Sequence, residues 1–348
     1  MAAAHDALMM GGESDNRASA SIAQPIRHAY DLHGLTVAVA AAEEKAAAFL
    51  QRLLAPLGCE PPAACDWTVT VTTAETIATP KGESGNTEVR LTDGLNAVAV
   101  RDDDRYGLAV PGRYAMTCRR STRTVEIRVV SGKEQDLSGS AAMWMLHWVL
   151  TASKRHMVHG AMLVDAKTER SIVLFAPSGT GKTTTALALA RAGLLLAGDD
   201  ALVLDADRNG RGLWAVPRRI KVSRKTAELL PWLGSALTDN WVDDEQSLGL
   251  DILPPLVSPA PPSRRWAAGL VVVLLQPNGT GHAATPITKP EALATICHDN
   301  VRATSGGVDA DNAATLAALA GLIATTQVIA LSVGPEPDTL SLRDLGWP

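Results

Sequence analysis

The chain has 348 residues, of which 46% are apolar and 20% are charged, so it can form one large domain or two ordinary ones with a sizeable core. Its 37 Asp and Glu residues outnumber its 32 Lys and Arg residues, and the net charge of −5 argues against a dedicated nucleic-acid-binding protein. No stretch approaches the roughly 20 apolar residues of a membrane-spanning helix, so no membrane partner is expected.

Residues 1–27 are small, polar and aperiodic, and we expect them to be disordered. They lack the basic region and the apolar run of a signal peptide. The four cysteines show no zinc-ligand spacing. Together these features predict a cytoplasmic protein whose cysteines are free thiols.

Residues 28–153 are expected to form a small, sheet-rich α+β module. Hydrophobic spacing predicts a strand at 35–41 and a helix at 41–58. Period-2 alternation predicts further strands at 66–74, 87–92, 96–101 and 123–131. Helical spacing over 140–156 predicts a helix that joins this module to the next, with His156 at the surface.

Residues 154–348 alternate buried strands with helices, which is typical of an α/β domain whose sheet is covered on both faces. The predicted strands are 160–165, 171–177, 194–205, 268–276 and 327–333, and the predicted helices are 182–193 and 313–326. Residues 252–266 contain five prolines and are expected to form a surface loop.

The sequence APSGTGKT, residues 176–183, matches a phosphate-binding loop with Ala in place of the first Gly. Two glycines let the backbone turn its N–H groups toward phosphate oxygens, and the start of the following helix favours an anion. Lys182 is expected near the β and γ phosphates, and the Thr183 hydroxyl can ligate Mg²⁺. The expected nucleotide-binding residues are Pro177, Ser178, Gly179, Thr180, Gly181, Lys182, Thr183 and Thr184.

Asp199 and Asp200 follow the loop closely, at the end of an apolar run where a buried strand reaches the sheet edge. Ligands of open α/β sheets bind beyond the carboxyl ends of strands, so we expect the loop and the two aspartates to share one crevice. Adjacent carboxylates on an extended strand point to opposite faces, which favours separate roles. One could hold Mg²⁺ while the other deprotonates an acceptor hydroxyl. The alternative is a turn with solvated charges, and His159 by itself could equally be structural.

The segments VHGAMLVD (158–165) and IVLFAPSGTGKTTTALALARAGLLLAGDDALV (172–203) resemble the catalytic domain of bacterial HPr kinase/phosphorylase and its relatives. In that family a His-Gly strand precedes the phosphate loop, and an Asp-Asp pair follows it at the same short interval. The resemblance implies a P-loop kinase domain of the HPr kinase/PEP carboxykinase type. It also implies roles for five residues, which are His159 in the catalytic site, Lys182 as the catalytic lysine, Thr183 as a magnesium ligand, Asp200 as the base and Asp199 beside it at the metal.

The sequence departs from that family at three points. Thr184 stands where the HPr enzymes usually carry Glu, and their downstream glycine-rich segment with a metal-binding Glu is not found. The N-terminal module also differs from theirs. These departures favour the divergent HPr-kinase-like proteins, some of which phosphorylate Ser in ribosomally made peptides or act on small hydroxylated molecules.

Residues 217–225, PRRIKVSRK, contain five basic residues. Arg218 or Arg219 could clamp the transferred phosphoryl group or bind an acidic acceptor, because phosphoryl transfer spreads charge over oxygen atoms. The alternative is a solvated face. Arg264 and Arg265 are candidates for a nucleotide lid.

The favoured hypothesis is an ATP- and Mg²⁺-dependent kinase that transfers the γ-phosphate to a Ser or Thr hydroxyl of a peptide or protein. One alternative is a kinase for a small hydroxylated molecule, since such enzymes also pair a phosphate loop with an early aspartate motif. Another is a regulatory protein that binds ATP without transferring phosphate, which would need no base. The sequence leaves the oligomeric state open and is compatible with a homo-oligomer.

Overall fold

The structure, a computed structural model, describes residues 26–79, 86–91, 94–177, 179–205, 212–251, 253, 255–275, 280–301 and 312–347. Within these residues the chain is a mixed α/β protein with four sheets and six α-helices. None of the described helices is both long and apolar enough to cross a membrane. Most of the segment expected to be disordered, 1–27, lies outside the described residues, and its last two residues begin the first strand.

The N-terminal part of the chain forms a nine-stranded mixed sheet. Its strands are β1 (Ile26–Asp31), β2 (Thr36–Ala41), β3 (Gly58–Cys59), β4 (Trp67–Ala74), β5 (Thr87–Arg90), β6 (Asn96–Arg101), β7 (Arg105–Val110), β8 (Tyr114–Arg119) and β9 (Thr124–Val130). Their spatial order is β3-β1-β2-β4-β9-β8-β7-β6-β5. In β4 the alternation of the sequence appears directly, because Trp67, Val69 and Val71 are buried while the intervening threonines are exposed.

Two helices, α1 (Glu44–Leu54) and α2 (Ser140–Ala152), bury their apolar sides against this sheet. The observed helix α1 is shorter than the helix predicted at 41–58, because a 3₁₀ turn that contains Pro56 follows Leu54. The sheet and the two helices confirm a sheet-rich N-terminal part. The division at residue 153 stays a prediction, although the nine strands end at Val130 and the next strand begins only at Arg155.

The remaining strands build three further sheets. They are β10 (Arg155–Val158), β11 (Ala161–Asp165), β12 (Arg170–Phe175), β13 (Leu195–Gly198), β14 (Leu202–Asp205), β15 (Leu213–Ala215), β16 (Ile220–Ser223), β17 (Glu245–Leu248), β18 (Ala267–Leu275), β19 (Ala283–Pro286) and β20 (Gln327–Ser332). The remaining α-helices are α3 (Lys182–Arg191), α4 (Arg224–Leu229), α5 (Lys289–Val301) and α6 (Asn312–Thr325). Further 3₁₀ turns lie at Glu134–Leu137, Pro231–Ser235, Pro337–Thr339 and Leu342–Leu345.

The largest of these sheets has the order β13-β11-β12-β18-β20-β19, and β12, β18 and β20 are parallel. One face packs on α3, and the other packs on α5 and α6. Leu270 and Leu274 of β18 point to the first face, while Val271 and Val273 point to the second. This arrangement explains the continuous apolar runs of the central strands and confirms a sheet covered on both faces.

A three-stranded antiparallel sheet, β10-β14-β15, connects the two large sheets, while β16 and β17 form a separate two-stranded antiparallel sheet. Val203 and Trp214 of the three-stranded sheet join the core of the N-terminal module, whereas Leu202 and Leu204 join the core beneath α6. The predicted single strand at 194–205 is therefore wrong. It consists of β13 and β14, which belong to different sheets.

Two surface predictions are also wrong. Residues 252–266 do not form a simple surface loop, since Val257 and Ala260 are buried and the Ala260 N–H donates to the Leu196 carbonyl at 2.8 Å. His156 is only 3% exposed, and its Nδ1 lies 3.2 Å from Thr315 Oγ1 of α6.

Candidate active site

Three segments of the chain meet at one edge of the six-stranded sheet. β12 and β13 run in the same direction, because each is antiparallel to β11, which lies between them. Their carboxyl ends therefore bring the phosphate loop and the aspartate pair to the same edge, and the start of β11 brings His159 there. The expected proximity of the loop and the two aspartates is confirmed. The loop follows β12 and the aspartates follow β13, and β11 lies between these two strands.

The phosphate loop joins β12 to α3 in a conformation that depends on glycine. Gly179 and Gly181 have φ angles of 79° and 100°, in the left-handed region. A Cβ at either position would meet no atom within 4 Å, so backbone conformation rather than crowding requires glycine. The Thr180 N–H donates to the Pro177 carbonyl at 3.2 Å. The Thr180 hydroxyl is buried and has no hydrogen-bond partner within the described chain.

The first side chains of α3 divide between the site and the core. Thr183 Oγ1 donates a hydrogen bond to Asp199 Oδ2, so these two predicted magnesium ligands are in contact. Thr184 Oγ1 instead lies 2.9 Å from Thr226 Oγ1 of α4, and both side chains are buried. The Thr184 side chain therefore contacts α4, and its nucleotide-binding role stays a prediction. This hydrogen bond links α3 to α4.

Lys182 lies between His159 and Asp200. Its Nζ is 2.7 Å from His159 Nε2 and 3.2 Å from Asp200 Oδ1, and its side chain is only 9% exposed. His159 Nδ1 lies 3.2 Å from the Asp200 carbonyl oxygen, which can only accept a hydrogen bond. Nδ1 therefore carries the proton, and Nε2 accepts a hydrogen bond from the lysine ammonium. Burial and the neighbouring Lys182 charge lower the pKa of His159, which favours this neutral imidazole.

The aspartate pair lies beyond the end of β13, not on an extended strand as expected. Asp200 has a φ of 69°, a left-handed conformation that non-glycine residues seldom adopt. The chain turns there from β13 into β14. The Asp200 N–H donates to Asp199 Oδ1 at 3.0 Å, so Asp199 accepts hydrogen bonds at both carboxylate oxygens. Strain of this kind often accompanies functional sites.

The two carboxyl groups have pKa values shifted in opposite directions. Burial, reinforced by the charge of Asp200, raises the pKa of Asp199 above its usual value. Burial would also raise the pKa of Asp200, but the Lys182 ammonium outweighs it and holds that pKa below its usual value. Such opposite environments can assign different roles to two neighbouring acids.

The two predicted clamp arginines differ. Arg218 is half-buried, and its positive charge contributes to the lowered pKa of Asp200. Two residues before Arg218, the Val216 N–H donates to the Ala201 carbonyl at 3.0 Å. Because Ala201 follows Asp200, this hydrogen bond places the segment beside the aspartate pair. The exposed Arg219 instead donates from Nε to the Ser247 carbonyl at 3.2 Å. Of the two arginines, only Arg218 acts electrostatically on Asp200.

The other predicted ligand residues are not all at the site. Arg264 lies 3.0 Å from Glu169 and stacks over Trp266, while the guanidinium of Arg265 pairs with the buried Asp205. Neither is placed as a nucleotide lid. Ser178, which the sequence assigned to the phosphate loop, lies outside the described residues.

Sequence reasoning missed two polar residues around the site, Thr226 and Asn300. Asn300, on α5, accepts a hydrogen bond from the His159 N–H. Nothing local in the sequence marks either residue, since each is distinguished by its contacts with a distant segment. An unexplained polar residue on an otherwise apolar helix face is the only pattern that could have suggested them.

No group of three or more His, Cys, Asp or Glu side chains that could hold a metal occurs in the part of the chain that the structure describes. A magnesium ion at a phosphate loop does not need one, because substrate phosphates and water complete its coordination. A scan against protein-family models finds no match to the chain, and a search of curated proteins finds none either. The chemistry of the site must therefore be inferred from its residues and their geometry.

Proposed function

We propose that the chain is a P-loop kinase, related to HPr kinase/phosphorylase, that transfers the γ-phosphate of ATP to an acceptor hydroxyl. The observation that carries this proposal is the position of Lys182 at the start of α3, between His159 and Asp200. A lysine that follows a glycine-rich loop is suited to triphosphate, and a carboxylate in contact with it is suited to act as a base beside the γ-phosphate. The proposed catalytic domain is 154–348.

The proposed nucleotide site uses the backbone N–H groups of the loop, the Thr180 hydroxyl and the Lys182 ammonium. The N-terminal end of α3 adds its partial positive charge. Thr183 and Asp199 would hold Mg²⁺, which when bound neutralises phosphate charge. Asp199 is suited to this role, because a cation would offset the burial that raises its pKa.

Asp200 is proposed as the base. It accepts the proton of the acceptor hydroxyl as that oxygen bonds to the γ-phosphorus and the bond to ADP breaks. Lys182 pairs with Asp200, and this contact lowers the pKa of Asp200 and makes it a weak base. Phosphate oxygens compete for the same ammonium, so nucleotide binding raises the pKa of Asp200 and strengthens the base. His159, neutral and hydrogen-bonded to Lys182, orients that ammonium.

The proposed acceptor is a Ser or Thr hydroxyl of a peptide or protein. The N-terminal module packs its core directly against Val203 and Trp214 of the strands that follow Asp200. A module fixed this close to the proposed base can present an extended substrate to it. A small hydroxylated molecule remains the alternative acceptor, and the same experiment distinguishes the two.

The test is phosphate transfer from γ-labelled ATP by the purified full chain with Mg²⁺, with Ser- and Thr-containing peptides and hydroxylated metabolites offered in separate reactions. We expect a labelled product with wild type and a loss of at least about 100-fold with Asp200→Asn, because a positioned general base contributes roughly 10² to 10⁴. Asp244→Asn is the matched control, since this exposed carboxylate pairs with Arg224 on the surface.

ATP binding must be measured on the same samples by calorimetry. Asp200→Asn should retain binding, because the proposed contacts to phosphate come from the loop and Lys182. Tight binding by wild type with no transfer to any acceptor, and no effect of Asp200→Asn, would favour a regulatory ATP-binding protein over a kinase.

A further inference from the structure

Asn300 connects α5 to the backbone of the proposed catalytic histidine. Its side chain is buried, at 8% exposure, near the C-terminal end of the helix. The Asn300 Oδ1 atom accepts a hydrogen bond from the His159 N–H, and its Nδ2 lies 3.5 Å from the His159 carbonyl oxygen. One amide therefore faces both polar groups of the His159 backbone.

The orientation of this amide is fixed by the helix that carries it. Asn300 Nδ2 donates to the Ile296 carbonyl at 2.9 Å, one turn earlier in α5. Because a carbonyl can only accept, the NH₂ group must face Ile296, which leaves Oδ1 for the His159 N–H. A side chain without this donor and acceptor would leave buried backbone groups unpaired, which is unfavourable.

The next residue restrains the same peptide from the other side. A Cβ on Gly160 would lie 3.0 Å from Leu202 Cδ1 and 3.1 Å from the Leu174 carbonyl oxygen. The chain at His159 thus lies between α5 on one side and β12 and β14 on the other. Since the imidazole extends from this restrained backbone, the Asn300 contact helps to decide where Nδ1 and Nε2 lie.

We propose that Asn300 is a positioning residue, which aligns His159 Nδ1 with the Asp200 carbonyl and His159 Nε2 with Lys182. Without it the imidazole loses its fixed tautomer, and the ammonium loses one of the two groups that orient it. The kinetic consequence of this proposal rests on the proposed kinase function. The structural consequence does not, because it concerns the ligand-free protein.

A neighbouring contact provides the matched control. Three residues before His159, His156 Nδ1 lies 3.2 Å from Thr315 Oγ1, so α6 holds the same segment through another buried side chain. Thr315→Val removes that hydroxyl while nearly conserving shape. It loosens a helix-to-strand contact of the same kind, but it does not touch His159.

The first measurement is the ring ¹⁵N chemical shifts of His159 by NMR in the ligand-free full chain at pH 7.5, assigned by comparison with His159→Gln. Wild type and Thr315→Val should show the Nδ1–H tautomer. Asn300→Leu, which is similar in size to asparagine, should show a mixture of tautomers. Asn300→Ala is the second variant, used if circular dichroism shows that Asn300→Leu does not fold.

The second measurement is kinetics with ATP. Asn300→Leu or Asn300→Ala should lower kcat by roughly 10- to 100-fold, with KM for ATP changed less than about 3-fold, because a small misplacement of catalytic groups costs this much. Thr315→Val should stay within about 2-fold of wild type. If wild type transfers no phosphate while the tautomer changes as expected, the kinase proposal fails and the positioning role stands. A wild-type tautomer in the Asn300 variants, or an equal change in Thr315→Val, would overturn the positioning role.

Discussion

Lys182 Nζ lies 3.2 Å from Asp200 Oδ1, so the cation expected on phosphate is paired with the proposed base. This pairing places an ammonium beside a carboxylate that is only 27% exposed. Each charge offsets part of the free-energy cost of removing the other from water. A phosphate group that attracts the ammonium away would leave the carboxylate free to accept a proton, which couples nucleotide binding to activation of the base.

Replacing Lys182 by Met should therefore disable both functions of this pair. We expect phosphate transfer to fall at least about 100-fold, and ATP binding to weaken at least about 10-fold, because a charge-assisted contact to phosphate is lost. Labelled-ATP transfer and calorimetry measure the two effects. Lys221→Met is the control, since Lys221 forms an exposed ion pair with Glu245. Unchanged ATP affinity in Lys182→Met would contradict the assigned phosphate loop.

Removing the buried charge of Asp199 should stabilise the protein while it disables the proposed metal site. Burial raises the pKa of Asp199, and each unit of such a shift corresponds to about 1.4 kcal/mol. The folded chain holds a proton here that the unfolded chain releases, so this group lowers stability as the pH rises above its ordinary value of 3.8. Asp199→Asn removes that penalty, and Thr183 Oγ1 can accept a hydrogen bond from the new amide.

In metal-free buffer at pH 7, urea unfolding should give a higher free energy of unfolding for Asp199→Asn than for wild type. Asp205→Asn is a matched control, because Asp205 is also buried but pairs with the Arg265 guanidinium. That control should be less stable than wild type by about 3 kcal/mol, since it removes the buried carboxylate that pairs with the mostly buried Arg265 guanidinium. A destabilised Asp199→Asn would contradict the raised pKa.

The turn between β12 and α3 and the nearby position of the aspartate pair could be predicted from sequence, because the residues that mark them are local. Residues 176–183 need particular amino acids at adjacent positions, and the strand before them and the helix after them are strongly apolar. The position of Asp199 and Asp200 followed from a single rule about the ends of strands. The residue contacts within the site, however, needed coordinates.

What could not be predicted depends on long-range packing. The left-handed φ of Asp200 separates β13 from β14, yet the apolar residues on either side suggested one continuous strand. β7 was not predicted, because five of its six residues are buried and no alternation appears. Thr184 was assigned to nucleotide by its place in the motif, but its hydroxyl pairs with Thr226, 42 residues away.

His159 should make the protein less stable in mild acid. Its pKa lies below the ordinary value of 6.5 because of burial and the Lys182 charge. Just below pH 6.5 the unfolded chain therefore binds a proton at this position that the folded chain does not. The contribution of neutral His159 to the free energy of unfolding is fully present above pH 6.5. It is lost as the pH falls toward the pKa of His159 in the folded chain. In His159→Gln this contribution is absent.

Urea unfolding of wild type and His159→Gln at pH 7.5, 6.5 and 5.5 measures this effect. The stability of wild type relative to the variant should decline between pH 7.5 and pH 5.5, by no more than about 1.4 kcal/mol per pH unit for one proton. Titrating residues that do not contact His159 are common to both proteins and cancel in the difference. A relative stability of wild type that increases as the pH falls would mean that His159 is protonated in the folded chain.

Arg218 and Arg219 are adjacent in sequence but differ in their surroundings, so they provide a matched pair of substitutions. The charge of Arg218 acts on Asp200, whereas Arg219 donates to the Ser247 carbonyl and is exposed. If Arg218 stabilises charge on the transferred phosphoryl group, Arg218→Gln should lower kcat by roughly 10- to 1,000-fold. Arg219→Gln should stay within about 2-fold of wild type. Steady-state phosphate-transfer assays on the two variants measure these kcat values. An equal decrease of kcat in both variants would show that the basic segment acts only through its overall charge.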